Sequence, residues 1–236
     1  LKSCAITALS LCFSLNVFAA KPVKSANEIG YARQELQRII DVNLSYKQNF
    51  HNHISEELLI KQTPDATMVL CSDSRIDTAS FSDKPAGNLF VIRNIGNQVI
   101  TAYGSVEYGV NYLHTPFLLI VGHSGCGAIK AGMSDFSKES SRLKTELVTL
   151  ELDSKASLNA NIIKNVNNQV KMAVEDFKEK VANNDVLVIG MIYDLHNDFN
   201  HGHGKLILVN INNETDPKVL ADNVYIKGLK HLSFLD

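Results

Sequence analysis

Two cysteines and one histidine stand in short motifs whose residue types suit a metal. Cys71-Ser72-Asp73-Ser74-Arg75 and His123-Ser124-Gly125-Cys126 each follow a short apolar run. Together Cys71, His123 and Cys126 offer two sulfurs and an imidazole, a donor set favoured by zinc. Three protein ligands leave a fourth position open for water, as catalytic zinc sites require. A His-x-x-Cys pair alone is a weak signal; a Cys-x-Asp-x-Arg at a second strand end sharpens it. Two other fates stay open for the thiols, a disulfide between Cys71 and Cys126 or two inert buried side chains. Neither accounts for His123 and the Asp73/Arg75 pair beside them. Gly122-His123-Ser124-Gly125-Cys126 comes near the G-x-S-x-G elbow of a serine hydrolase but has Cys at the last position, so that chemistry is set aside.

Residues this far apart need a scaffold that gathers them. Thr67–Cys71, Leu89–Ile92, Phe117–Val121 and Val186–Ile189 are short continuous apolar runs, the pattern of parallel strands buried on both faces. Helical periodicity lies between them. Gln98–Leu113 carries Val99, Ala102, Val106 and Val110 on one face; Leu158–Val181 carries Ile162, Val166, Val170, Val174 and Val181. The alternation predicts a single α/β domain over residues 20–236, with a central, mostly parallel β-sheet flanked by helices. Its expected parts are a long helical arm at about 25–50, a core at about 64–211 and an extension at 212–236. Leu206–Ile211 is expected to add an edge strand. The motifs fall at the carboxyl ends of strands, where α/β proteins place their sites. His196, His201 and His203, among glycines, are read as a solvated hairpin turn, with a second metal or proton transfer as the other uses. Asn159, Asn161, Asn165, Asn167 and Asn168 are expected on an exposed helix face.

The chain of 236 residues is 45% hydrophobic and 20% charged, which excludes wholesale disorder. Its net charge of −2, from 23 basic and 25 acidic residues, gives no general attraction to nucleic acid. At the N-terminus Lys2 precedes an apolar stretch ending in Val17-Phe18-Ala19. This is the layout of a secretory signal peptide over residues 1–19, cleaved after Ala19, and the stretch is too short for a comfortable membrane span. An exported, periplasmic protein with no membrane span in the mature chain is therefore expected. Cleavage would remove Cys4 and Cys12, leaving only the two motif cysteines.

Cys71-Ser72-Asp73-Ser74-Arg75, Arg93-Asn94-Ile95-Gly96-Asn97 and Gly122-His123-Ser124-Gly125-Cys126-Gly127 resemble the three signatures of β-class carbonic anhydrases. Gly190-Met191-Ile192-Tyr193-Asp194-Leu195 is similar to that family's last core strand. The resemblance covers roughly residues 26–211. It implies one Zn²⁺ per chain on Cys71, His123 and Cys126, and an Asp73–Arg75 catalytic dyad. The implied activity is reversible hydration of carbon dioxide to bicarbonate and a proton, by attack of zinc hydroxide. In one form of the family the Asp, here Asp73, becomes the fourth ligand and closes the site. The plant-type branch implies a substrate pocket of Gln62, Phe90, Ile95 and Tyr108, with Gly127 offering a backbone N–H. A homodimer or homotetramer is implied, its helical arms embracing partner subunits. The other branch's bicarbonate-sensing site includes a Trp, which this chain lacks. The same fold could instead hydrolyse carbonyl sulfide or carbon disulfide, and a non-catalytic zinc- or disulfide-stabilised binding protein is the alternative outside enzymology.

Overall fold

The computed structural model describes residues 26–235, so the expected signal peptide lies outside the described residues. The chain divides into two units, residues 1–50 and 51–236. The described part of the first is largely one helix, α1 (Ala26–Gln48), as its uninterrupted periodicity requires. Its apolar residues Ile29, Leu36, Ile39, Ile40 and Leu44 are exposed.

The second unit holds a six-stranded sheet in the order β2-β1-β3-β4-β5-β6. Its strands are β1 (Ala66–Cys71), β2 (Leu89–Asn94), β3 (Phe117–His123), β4 (Leu187–Asp194), β5 (Lys205–Ile211) and β6 (Ser233–Phe234). The first four are mutually parallel, and β5 runs antiparallel to β4. Every residue of β1 is buried, as expected of a central parallel strand covered on both faces. The chain leaves β1 for β2 on one side and returns to β3 on the other. Ligand sites of open α/β sheets form at such a reversal of strand order, beyond the carboxyl ends. Cys71 ends β1 and His123 ends β3.

Three expectations need correction. β5 is not an edge, because β6 pairs beyond it in parallel; the 212–236 stretch thus contributes to the sheet. The stretch Gln98–Leu113 is not one regular helix. It runs as a 3₁₀ turn (Ile100–Ala102), a short helix α2 (Tyr103–Glu107) and a π turn (Tyr108–Tyr112), although Val99, Val106 and Val110 are buried as the periodicity requires. The third concerns the long helix α5 (Leu158–Asp176), which follows α3 (Gly127–Gly132) and α4 (Ser141–Val148). Its Asn161 and Asn165 are not exposed; they are wholly buried. They project from the same side as Ile162, Val166 and Val170, which fill the core. The helix ends near Phe177, whose buried ring belongs to that core.

Two glycines set how closely α5 approaches the sheet. A Cβ on Gly122 of β3 would fall 2.7 Å from a Val166 methyl, and one on Gly190 of β4 would fall 2.8 Å from its other methyl. Helix and strands meet here with no room for a side chain between them.

Candidate metal centre

Cys71, His123 and Cys126 come together at the carboxyl ends of β1 and β3, all three buried, with their donor atoms within 4.8 Å of one another. The His123 ring is oriented from behind, Nδ1 donating to the Ser124 carbonyl at 3.0 Å. That bond leaves Nε2 as the free acceptor, the arrangement usual for a metal-bound imidazole. Among the described residues, His123 Nε2 and Asn97 Nδ2 are the buried side-chain nitrogens or oxygens without a hydrogen-bond partner. A buried polar atom in that condition costs free energy unless something pairs with it.

The cysteines are free thiols, their sulfurs 3.9 Å apart. A disulfide needs about 2.05 Å, so this structure does not contain the bridge left open from sequence. Two sulfurs bound at about 2.3 Å to one tetrahedral ion would be about 3.8 Å apart, close to the spacing found. The donor set, the orphaned nitrogen and the spacing all fit zinc. The two sulfurs share a hydrogen bond. The Cys126 thiol donates to the Cys71 sulfur and, against the cost of burial, draws the Cys71 pKa down to about 4. Cys126 is pushed far up by that thiolate and by its own burial.

Asp73 and Arg75 form a two-pronged pair, Arg75 Nε on Oδ1 at 2.9 Å and Nη2 on Oδ2 at 2.7 Å, with the Arg75 backbone N–H also on Oδ1. These bonds, the Arg75 side chain foremost, hold the Asp73 carboxyl well below the usual carboxylate range. Its Oδ2 lies 4.0 Å from His123 Nε2, so the Asp73–Arg75 pair stands beside the three candidate ligands. Of the expected pocket, Phe90 on β2 and Tyr108 at the π turn bring their rings to 5.8 Å. Phe90 and Ile95 pack against the cluster that contains both cysteines. Gln62 is exposed ahead of β1, and Gly127 opens α3 directly after Cys126.

Several residues that place these groups were not assigned a role from sequence. Arg93 donates twice to the Cys71 carbonyl and once to that of Asp73, stapling the turn that carries both. Asn94 ties back the following loop through the Gln98 N–H and carbonyl. From α5, Asn165 donates to the Gly96 carbonyl at 2.8 Å and Gln169 accepts from the Val99 N–H at 2.8 Å. The spacing of Asn161, Asn165 and Gln169, four residues apart, was the available signal, since such residues share a helix face.

The histidine-rich turn also differs from expectation, in part. His203 Nδ1 contacts the Leu195 carbonyl, a local bond suited to a turn. His196 instead reaches Arg75, with Nη1 3.2 Å from Nε2.

The family model for carbonic anhydrases matches residues 66–200. A carbonic anhydrase of Mycolicibacterium smegmatis is 39% identical over 74 residues, 31% of this chain and 36% of that protein. One of Pseudomonas aeruginosa is 35% identical over 107 residues, 41% of this chain and 48% of that protein. Beta carbonic anhydrase 3 of Arabidopsis thaliana is 30% identical over 148 residues, 56% of this chain and 57% of that protein. The chain thus spans between 36% and 57% of the length of these curated relatives. Two solved structures share the fold. The β-carbonic anhydrase CcaA has a TM-score of 0.63 at 22% identity, covering 75% of this chain and 88% of its own. Tetrameric β-carbonic anhydrases of Sordaria macrospora give 0.60 at 24% identity, covering 78% and 98%. Matched by the family model over more than half its length, the chain belongs to the β-class carbonic anhydrases.

Proposed function

We propose that this protein catalyses the zinc-dependent, reversible hydration of carbon dioxide to bicarbonate and a proton. The observation that carries the reading is the convergence of Cys71, His123 and Cys126 around an unpartnered Nε2, directly beside the Asp73–Arg75 pair. Held by those three side chains, zinc would supply a Lewis acid and a water made acidic near neutral pH. Arg75 fixes the ionised Asp73 by two parallel bonds, which keeps the carboxylate from turning inward to become a ligand itself. Asp73 then serves as the acceptor that orients the reacting water through a hydrogen bond. Carbon dioxide is small and uncharged, so the apolar walls of Phe90, Ile95 and Tyr108 suit it better than a charged clamp would. Gln62 and the Gly127 N–H offer donors to bicarbonate.

The deciding measurement is zinc content and carbon dioxide hydration in wild type and Asp73→Ala. The wild type should hold one zinc per chain and be active, and the variant should keep its zinc while losing about 100-fold or more in kcat. Stoichiometric zinc without hydration by the wild type would overturn the reading.

The assembly belongs to the same proposal. The exposed apolar side chains of α1 and, in the second unit by itself, exposed Tyr103, Tyr108, Tyr112 and Phe117 support a homodimer or homotetramer, since apolar side chains left at the surface in number favour association. Export to the periplasm rests on the signal-like pattern of residues 1–19, and no helix among the described residues is long and apolar enough to cross a membrane. N-terminal sequencing of the protein recovered from a periplasmic fraction would check both export and cleavage after Ala19.

A further inference from the structure

We propose that His196 is a positioning residue for the dyad, acting through Arg75; the inference rests on the carbonic anhydrase reading above. A guanidinium can only donate hydrogen bonds, so the 3.2 Å contact makes His196 Nε2 the acceptor. The ring is then neutral with its proton on Nδ1, which faces Asp198 Oδ2 at 4.0 Å. Arg75 thereby uses Nε and Nη2 on Asp73 and Nη1 on His196. The two side-chain bonds to Asp73 fix the guanidinium only against a neighbour in its own turn. A third bond, to a group on a different loop, anchors it from outside that turn.

The loop between β4 and β5 is constructed to bring the ring there. The His196 backbone N–H donates to Ser124 Oγ at 3.0 Å, and Ser124 is wholly buried next to the ligand His123. Just ahead, the fully buried Asp194 accepts from the N–H groups of Asp198 and Phe199, each at 2.9 Å. Burial pushes the Asp194 carboxyl up, but these N–H groups outweigh it and its pKa is lowered. The imidazole abuts Gly125 with Cε1 nearest, where any Cβ would collide with it, and Gly125 itself has φ +67°. The ring therefore has a fixed seat between Gly125 and Arg75. The side chain stays 45% exposed, so the loop's bonds and the glycine, rather than burial, place it.

The test uses the full zinc-loaded protein and two substitutions. His196→Phe keeps a ring over Gly125 and removes the acceptor; His196→Gln removes the ring and restores an acceptor. Zinc content should be unchanged in both. We expect kcat to fall about 3- to 10-fold in His196→Phe with KM within twofold, and His196→Gln to recover most of the loss. A readout independent of turnover is nuclear magnetic resonance of the side chains. Wild type should show His196 with its proton on Nδ1 and a slowly exchanging Arg75 guanidinium, and exchange should quicken in His196→Phe. Wild-type kcat in His196→Phe, equal losses in both variants, or a proton on Nε2 would each overturn the proposal. A wild type that binds zinc but does not hydrate carbon dioxide would sink the functional reading instead, and the resonance measurements would still decide whether His196 holds Arg75.

Discussion

Two buried polar clusters lie within one unit of this chain, and they are buried to opposite ends. On α5, Asn161, Asn165 and Gln169 are almost inaccessible, and each spends its amide on a named backbone group: Asp153 and Ser157, Gly96, and Val99. At the strand ends Cys71, His123 and Cys126 are just as buried, yet His123 Nε2 is without a partner and two thiols share a single proton. Buried polar groups whose bonds are satisfied internally make the fold specific and rigid. A cluster with lone pairs converging on one point makes a receptor. Burial alone does not distinguish scaffold from site; the bond inventory does.

His123→Ala breaks this contrast most severely. It removes the converging lone pair, and we expect zinc to be lost on dialysis together with at least about 1,000-fold of the hydration activity. Retention of one zinc per chain would mean that the orphaned nitrogen is not what marks the site. Gln169→Leu probes the other cluster. The variant leaves the buried Val99 N–H without its acceptor, so urea unfolding should show a loss of about 1–3 kcal/mol while zinc binding persists. A variant that unfolds like wild type would place α5 outside the support of the site.

The contrast can also be sharpened by a pH dependence in zinc-stripped protein. Below about pH 8.5, the usual thiol value, the unfolded chain holds both motif-thiol protons, whereas above about pH 4 the folded pair holds one. Stability therefore rises with pH across that interval. At higher pH the unfolded chain gives up both protons while Cys126 in the folded chain keeps its own, so stability falls again. The thermal midpoint of stripped wild type should pass through a maximum near pH 8.5, and Cys71→Ser should flatten the rising limb. Parallel curves for the two proteins would refute the shared proton.

The Cys71, His123 and Cys126 grouping and the sheet were legible in the sequence for the same reason: both are local. A strand buried on two faces shows itself as an uninterrupted apolar run, as in Thr67–Cys71, and Cys and His at strand ends announce their chemistry by type. The misread parts depend on what packs where. Asn165 looked solvated because asparagine usually is, and only its position beside Val166 on the core side of α5 shows otherwise. His196 lies 121 positions from Arg75, and no periodicity connects them. The irregular Gln98–Leu113 stretch kept its buried valines at the expected places but not its helical regularity. The pattern reports which face is inward and is blind to a turn tightened at one end and widened at the other.

The contact of Val166 with Gly122 and Gly190 has a consequence for how the protein tolerates change. Val166 sits immediately after Asn165, the residue that holds the Gly96 carbonyl. The height at which α5 rides over the sheet is therefore gauged by two missing methyl groups. Alanine at either glycine would touch neither the Cys71, His123 and Cys126 cluster nor the Asp73–Arg75 pair, yet it would press on Val166 and through it on the turn of α5 that carries Asn165. Substitutions that appear innocent by chemistry can in this way detune the site by displacement alone, and these two positions are the ones an engineer of this enzyme should leave untouched.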